Sequence, residues 1–592
     1  MGRRPAGLAL ALAAVLAVGV LAENFGAPPR PGSAFQFAPS ATRADWVALS
    51  RQLAAPWPGG QLLSGSMPDY LREGDPGTYG DGTVGLALLQ TGTRDRNQRL
   101  VRAGLRAVSS ETRSLEVHYN THPFRVWAVA AAYGITRRRL GHRSSAGTAM
   151  RRWGHWLRQQ PSTWLWGPPY QNKVLAGALG VLEAQHTGLR SPVHGSILGR
   201  AARARAIRLV NRTIPSMASG SSAYLLSDPL QNPIAYHALS HAMYTRAVRL
   251  LGRQASREAR RTLRRLARAS GLSMAPDGSV AYWGRSQGQS WTQSAAAYGL
   301  AATARERGSP AGADRRYYAL AARALGRLRD YGVGPRGGHI IPALGHDRRG
   351  GVRALDPYAH TPEYAGLTLI FLNWAIPLLP PGQARGRIAA DRPLAAVLSE
   401  GSGRFATIRR GRVWFAAREG AGNLRYDFGP VAAQRLERGR WRDVIPYRPK
   451  GGRAYDSAGP VLQSAGGRGL PVGYATRVTR DGRVVVRGGF RRRDWLRKGV
   501  EFVVQPTSCG VEVAVQGRAG DRYEFSAFFR GDARPAIGER RARSDGEVAV
   551  FNLPIRSSSI ERGYHSASDA WLTRGRFAVE ARRNQWVSME LC

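Results

Sequence analysis

Two histidines four residues apart, with a tyrosine three further on, stand inside an apolar run of this 592-residue chain, DPLQNPIAYHALSHAMYTRAVRLLG. Read as a helix over 231–251, the run puts His237, His241 and Tyr244 at i, i+4 and i+7 on one face, with Tyr236 beside that face and Asn232 near the start. Imidazole is the side chain most easily poised to take a proton near neutral pH, and a phenol can return one. Histidines at i, i+4 also have metal-ligand spacing, but no HExxH glutamate and no evident third ligand accompany them, so the pattern calls for no metal. A structural role for one of the two histidines is the plainer alternative.

A second group lies in PDGSVAYWGRSQGQSW, residues 276–291. Asp277-Gly278-Ser279 signals a turn. If the next helix begins near Gly284, Arg285 and Gln289 share a face beside the rings of Tyr282 and Trp283. Guanidinium forks onto carboxylates, and aromatic faces suit sugar rings. Packing of those rings between helices is the competing reading. Two further stretches set polar and aromatic groups just ahead of helices. SLEVHYNTHPFRVWAVAAAYG offers His118, Tyr119, Asn120, His122 and Arg125, and TWLWGPPYQNKVLAGALG offers Trp164, Trp166, Tyr170, Asn172 and Lys173. Helix capping by Asn120 or Asn172 would explain them more simply, but such groups would converge if the helices formed a ring.

The elements required are visible in the hydrophobic pattern. Residues 1–22 show Arg3 and Arg4, an apolar run and small residues near Ala22, which is the pattern of an export signal, or of an uncleaved anchor. A Pro/Gly/Ser linker over 23–40 follows. About twelve amphipathic segments between 41 and 385, punctuated by Gly and Pro, predict a helical domain. No strict repeat marks a solenoid, and aromatics near the connections favour a closed (α/α) toroid with a ligand groove at one end. From 394 to 592, short alternating Val- and Phe-rich stretches broken by Gly predict an antiparallel β-sandwich. The two cysteines, Cys509 and Cys592, can pair in an exported chain or stay as thiols.

The charge narrows the partners. Lys and Arg number 87 against 40 Asp and Glu, a net of +47, and only three of the 87 are Lys. Such an excess expects an anionic partner, and with an export signal and no nucleic-acid module that partner is an acidic polysaccharide or cell-wall glycan rather than nucleic acid. The oligomeric state is open.

The order of signal, multi-helix toroid and β-sandwich resembles the toroidal polysaccharide lyases, the group of heparinase II/III-like, alginate and chondroitin/hyaluronate lyases. The turn, Tyr and Arg within PDGSVAYWGRS and the stretch DPYAHTPEYAGLTLIFLNWA are similar to pieces of such enzymes. The resemblance implies β-elimination at a uronic acid without a cofactor. An amide or Arg binds the carboxylate (Asn172 or Asn232 with Arg285), His237 takes the proton, and Tyr282 or Tyr244 returns one. His241, Trp283, Gln289, Trp166, Tyr170, His118 and Asn120 would complete the binding surface. Two rivals stand beside it: a toroidal glycoside hydrolase using Asp81 and Glu363 as paired carboxylates, and a non-catalytic glycan binder on the same scaffold.

Overall fold

The computed structural model describes residues 41–69, 77–113, 122–141, 144–168, 172–191, 193–226, 234–280, 282, 288–306, 311–331, 360–384, 386–400, 403–420, 428–445, 458–464, 467–492, 496–531, 533–544, 546–565 and 571–592. The N-terminal apolar segment and linker fall outside these. Among the described residues no helix is long and apolar enough to cross a membrane.

Among the described residues, twelve main helices fill the first part of the chain: α1 Arg43–Ala54, α2 Gly80–Asp95, α3 Gln98–Glu111, α4 Pro123–Arg139, α5 Ser144–Gln159, α6 Asn172–Gln185, α7 Arg200–Arg208, α8 Ile234–Leu251, α9 Arg257–Ser273, α10 Ser290–Ala304, α11 Ala311–Gly326 and α12 Thr361–Ala375. Their starts follow local chemistry. Asn97 caps α3 by accepting from the amides of Arg99 (3.0 Å) and Leu100 (3.2 Å), and Ser256 caps α9 through Ala259 N–H (3.0 Å). Proline opens α4 and α12 within their first two positions, where a missing N–H costs nothing. After Arg208 the backbone widens into one π turn, Leu209–Thr213, before a last short helix, Ile214–Met217.

The even-numbered helices form a closed ring: α2 packs on α4, α4 on α6, α6 on α8, α8 on α10, α10 on α12, and α12 back on α2. The odd-numbered helices lie outside it. Composition explains the division. All fifteen residues of α10 are buried, as suits a helix apolar all round, whereas α9 buries Leu263, Leu266 and Ala267 and turns arginines outward. Small residues let neighbours approach closely; a Cβ on Gly85 would come within 2.6 Å of Val108 on α3. Trp127, Tyr298, Phe371 and Trp374 fill the middle of the ring, with Trp127 and Trp374 centroids 5.7 Å apart and Tyr298 and Trp374 5.3 Å apart.

The second part is all antiparallel except at its junction with the helices. Strands β2 Leu394–Glu400, β3 Gly403–Arg410, β4 Val413–Arg418, β5 Gly429–Glu437 and β6 Arg440–Ile445 follow one another in a six-stranded sheet. Its sixth member is β1, Tyr224–Leu225 from the connection before α8, which pairs parallel with β2. The two-residue alternation of β3 serves two cores: Phe405 faces the helices, while Ala406 and Ile408 pack with Phe502 and Val513 of a twelve-stranded sheet lying between Val461 and Leu591. This is the expected sandwich. Cys509 and Cys592 are joined, their Cα atoms 5.0 Å apart, which ties the chain end to the turn before the strand Val511–Gly517.

Candidate active site

All six inner helices begin at one rim, and a cleft of about 270 Å³ opens there. Every helix supplies it from its first turns or the residue just before: Tyr79 ahead of α2, His122 and Phe124 at α4, Asn172 and Lys173 at α6, Tyr236 at α8, Trp291 at α10, and His360, Glu363 and Tyr364 at α12. Six helix N-termini converging on a small cavity give it a positive potential, and a carboxylate is the natural guest. The volume lies at the low end of ordinary ligand pockets, ~300–1,000 Å³, so it suits the reacting unit of a polymer rather than a long stretch of it.

Three residues of the cleft carry polar groups without a hydrogen bond among the described residues. Asn172 is 7% exposed. Its amide has no hydrogen-bond partner among the described residues. The Nδ1 atoms of His122 and His360 are buried and likewise without a hydrogen bond. Burial, reinforced by the charges of Lys173 and Arg125, pushes His122 down to about 3, so its ring is neutral across the working range of any ordinary enzyme. It stacks with Tyr79 (centroids 5.0 Å, 15° between planes), which holds it flat against the wall. His360 differs: its Nδ1 lies 3.9 Å from Oδ2 of the buried Asp69, a carboxylate that also accepts the Thr361 amide at 2.9 Å. Of the two rings, His360 is therefore the one with a carboxylate beside its Nδ1.

Glu363 accepts the amide of Tyr79 at 3.2 Å. Gly77, at φ +81°, arches over it so closely that a Cβ there would lie 2.6 Å from the carboxyl. Asp81, the other carboxylate of the hydrolase reading, does not line the cleft. It accepts from Met67 N–H at 2.6 Å and Ser66 Oγ at 3.1 Å, and burial raises its pKa. Behind it Glu111 binds the Gly82 amide at 2.6 Å and pairs with Arg125. Burial nevertheless pushes its pKa up to about 7, because Arg125's attraction, the next largest influence, is smaller and Asp81's charge opposes it. Asp81 and Glu363 are therefore not opposed across this cavity.

The histidine face singled out in the sequence is elsewhere. His237, His241 and Tyr244 do share one face of α8, but it is turned to the outer layer. His237 Nδ1 accepts Leu226 N–H at 2.9 Å, and its Nε2 meets Ser270 Oγ at 3.0 Å and Leu266 O at 3.2 Å. His241 is held between Ser270 Oγ (3.2 Å) and Thr303 Oγ1 (3.3 Å). Burial drives both rings toward the neutral form, His237 to about 4. The Tyr244 hydroxyl donates to Val210 O at 2.9 Å and that of Tyr282 to Ser273 O at 2.6 Å; both side chains are fully buried. Tyr282 stands edge-on to Trp414 at the seam with the β-region (5.4 Å). These groups correct the expectation: they are the buried polar stitching between ring layers, and none of them lines the cleft.

The quoted loop also differs from its reading. Helix α10 starts at Ser290, so Gln289 precedes the helix and shares no helical face with Arg285; its carbonyl group accepts from Trp291 Nε1 and its amide nitrogen is buried without a partner. Trp166 is 63% exposed in the turn Thr163–Trp166, with the Arg205 guanidinium 5.0 Å above its ring. Arg285, Trp283, Asn232, Tyr170, His118 and Asn120 lie outside the described residues. Of the residues named from the sequence for a converging rim or a carboxylate pair, then, His122, Asn172, Lys173 and Glu363 are at the cleft. Tyr79, Tyr236, His360, Tyr364 and Trp291 were not singled out for it, although one signal marks the histidines: His122-Pro123 and His360-Thr361-Pro362 each put imidazole directly ahead of a proline-opened helix.

No family model and no curated protein matches the chain. The likeness to polysaccharide lyases expected from the chain's layout is found among solved structures. A mutant of the heparan sulfate lyase HepC from Pedobacter heparinus is 12% identical over 97% of this chain and 87% of its own, with a TM-score of 0.45. The chondroitin AC lyase of Streptomyces coelicolor is 12% identical over 94% and 80%, also at 0.45. The unsaturated glucuronyl hydrolase of a Bacillus species matches over 58% of this chain and 99% of its own, at 16% identity and 0.39.

Proposed function

We propose that the chain is an exported enzyme that cleaves an acidic, uronate-containing polysaccharide by β-elimination at the cleft where the inner helices begin. The observation that carries the reading is one small cavity lined by the nearly buried Asn172, by Lys173, and by His122 and His360, whose rings each keep a buried nitrogen without a hydrogen bond. A buried polar group without a partner costs about 1–3 kcal/mol, and a sugar acid bound beside His122 would supply its missing partner.

In this reading the Asn172 amide, Lys173 and the surrounding helix N-termini hold the C6 carboxylate and stabilise the charge that moves onto it as the C5–H bond breaks. His360 takes the C5 proton, supported through Nδ1 by Asp69. The electron pair forms the C4–C5 double bond, the C4–O4 bond breaks, and Tyr236 protonates the departing oxygen. His122, held neutral, contributes a fixed hydrogen-bonding group rather than a charge. Trp166, on the connection leading to Asn172, offers a stacking face to a neighbouring sugar. No water enters the products and no cofactor is required. The role first given to His237 with Tyr282 or Tyr244 thus passes to His360 with Tyr236, because a base must reach its substrate.

The test is incubation with a panel of polyuronates while following two products together, the ultraviolet absorbance of an unsaturated uronate and new reducing ends. Equal growth of both is expected, lost in His360→Ala. Reducing ends without the absorbance would assign hydrolysis, and binding without either product would assign a glycan-binding protein.

A further inference from the structure

Arginines are plentiful away from the cleft, and several on the outer helices fall on one line. On α9, Arg257, Arg264 and Arg268 recur at i, i+7 and i+11, which is one face of a helix, and span about 16 Å at 1.5 Å per residue. Arg257 and Arg268 are exposed and Arg264 half-buried. The π turn after α7 is fastened to the start of this helix: Asn211 Nδ2 donates to Gln254 O, and Ser256 N–H donates to Asn211 Oδ1, both at 2.8 Å. That junction sets the exposed Arg208 and Arg212 beside Arg253, just ahead of α9.

None of these six arginines has an ion pair among the described residues. The nearest carboxylates are already taken, Glu258 by Arg261 and Arg265 and Glu306 by Arg260. A row of unpaired like charges destabilises the free protein by self-repulsion, and an anionic partner would relieve it. At its other end the row reaches Trp166, since Arg205 of α7 lies over the exposed ring and donates to Leu165 O at 3.3 Å.

We propose that this arginine row, from α9 across the π turn to α7 and Trp166, is a second binding site that holds a distant stretch of an acidic polysaccharide chain on the outer wall of the ring. The ligand class rests on the function proposed above. A linear polymer fits better than a flat bilayer because the charges follow a narrow line along two helices. Along α9, the π turn and α7 the row presents no aromatic side chain on which successive bases could stack, Trp166 standing alone at its end, which disfavours single-stranded nucleic acid. Guanidinium suits carboxylate or sulfate groups through paired N–H donors.

The experiment measures binding, so its failure is separable from a failure of catalysis. In the full-length chain carrying Asn172→Ala to silence turnover, affinity for long polygalacturonate is compared with and without Arg208→Gln, Arg212→Gln, Arg257→Gln and Arg264→Gln. A control exchanges Arg477, Arg480, Arg483 and Arg487 of the β-region for Gln. Arms with anionic vesicles and single-stranded DNA run in parallel, and thermal melting verifies that each variant is folded. The proposal expects binding about tenfold weaker or more in the row variant at ~0.15 M salt, a shallower salt dependence, little change in the control, and unchanged turnover of short oligomers when Asn172 is intact. Equal losses in row and control variants would reduce the effect to bulk charge and overturn it. Tighter row-dependent binding of vesicles or DNA than of the glycan would overturn the choice of ligand.

Discussion

Two pairs of histidines, one between the layers of the ring and one at its rim, show how position rather than residue type decides what imidazole does. His237 and His241 are buried between α8, α9 and α10, and all four ring nitrogens have partners: an amide, a carbonyl and the hydroxyls of Ser270 and Thr303. His122 and His360 precede α4 and α12 at the rim, and the Nδ1 of each is left over. A satisfied buried network specifies how layers pack; a ring nitrogen at a cavity wall that belongs to no such network is open to a bound group. The lesson applies to the carboxylates as well, since Asp81 and Glu363 both hold backbone amides and so serve the architecture first.

That comparison can be broken by substitution, with the largest effect at the rim. Asn172→Ala is expected to lower kcat/KM on a polyuronate by about 10²–10³, the usual cost of one preorganised donor, while leaving the melting temperature within about 2 °C. Steady-state kinetics and calorimetry check it together. Next, Gly77→Ala would push a methyl group into Glu363 in a left-handed backbone conformation, displacing the rim before α2; a loss of about 1–3 kcal/mol is expected by denaturant titration.

In the layer between helices the signature is pH-dependent stability. The folded pKa of His237 is lowered to about 4 from 6.5, so the unfolded chain binds the proton first as pH falls. Its contribution is therefore fully present above about 6.5 and is lost progressively down to about 4, amounting to roughly 3 kcal/mol. Urea unfolding from pH 7 to pH 4 should show this slope, and His237→Gln should lessen it, the rest coming from His241 and His122. Smallest of all, Ser270→Ala removes the hydroxyl that bridges the two rings and should cost about 1–2 kcal/mol without changing turnover by the folded enzyme.

Much of the architecture was legible because it depends on local pattern. Twelve apolar segments separated by Gly and Pro do become twelve helices, and alternation after residue 394 does become two packed sheets. The side to which a helical face turns is not local. The i, i+4, i+7 face of His237, His241 and Tyr244 was read correctly as one face, but α8 is apolar nearly all round, so nothing in its own sequence says that this face meets α9 instead of the cleft. The rule that polar groups at successive helix starts converge did point to the rim, and through it to Asn172. His360 was passed over because attention in HTPEYAG went to its carboxylate, Glu363. The turn of PDGSVAYWGRSQGQSW was legible too, whereas the burial of Tyr282 depends on Trp414, which is 132 residues away in sequence.

The most direct measurement is the rate of unsaturated-product formation, per folded molecule, by His360→Ala and His237→Gln side by side. The account predicts that His360→Ala is fully folded and at least about a hundredfold slower, and that His237→Gln is less stable yet turns over within a few-fold of the parent. A folded His237→Gln protein that has lost turnover, beside an active His360→Ala, would contradict it.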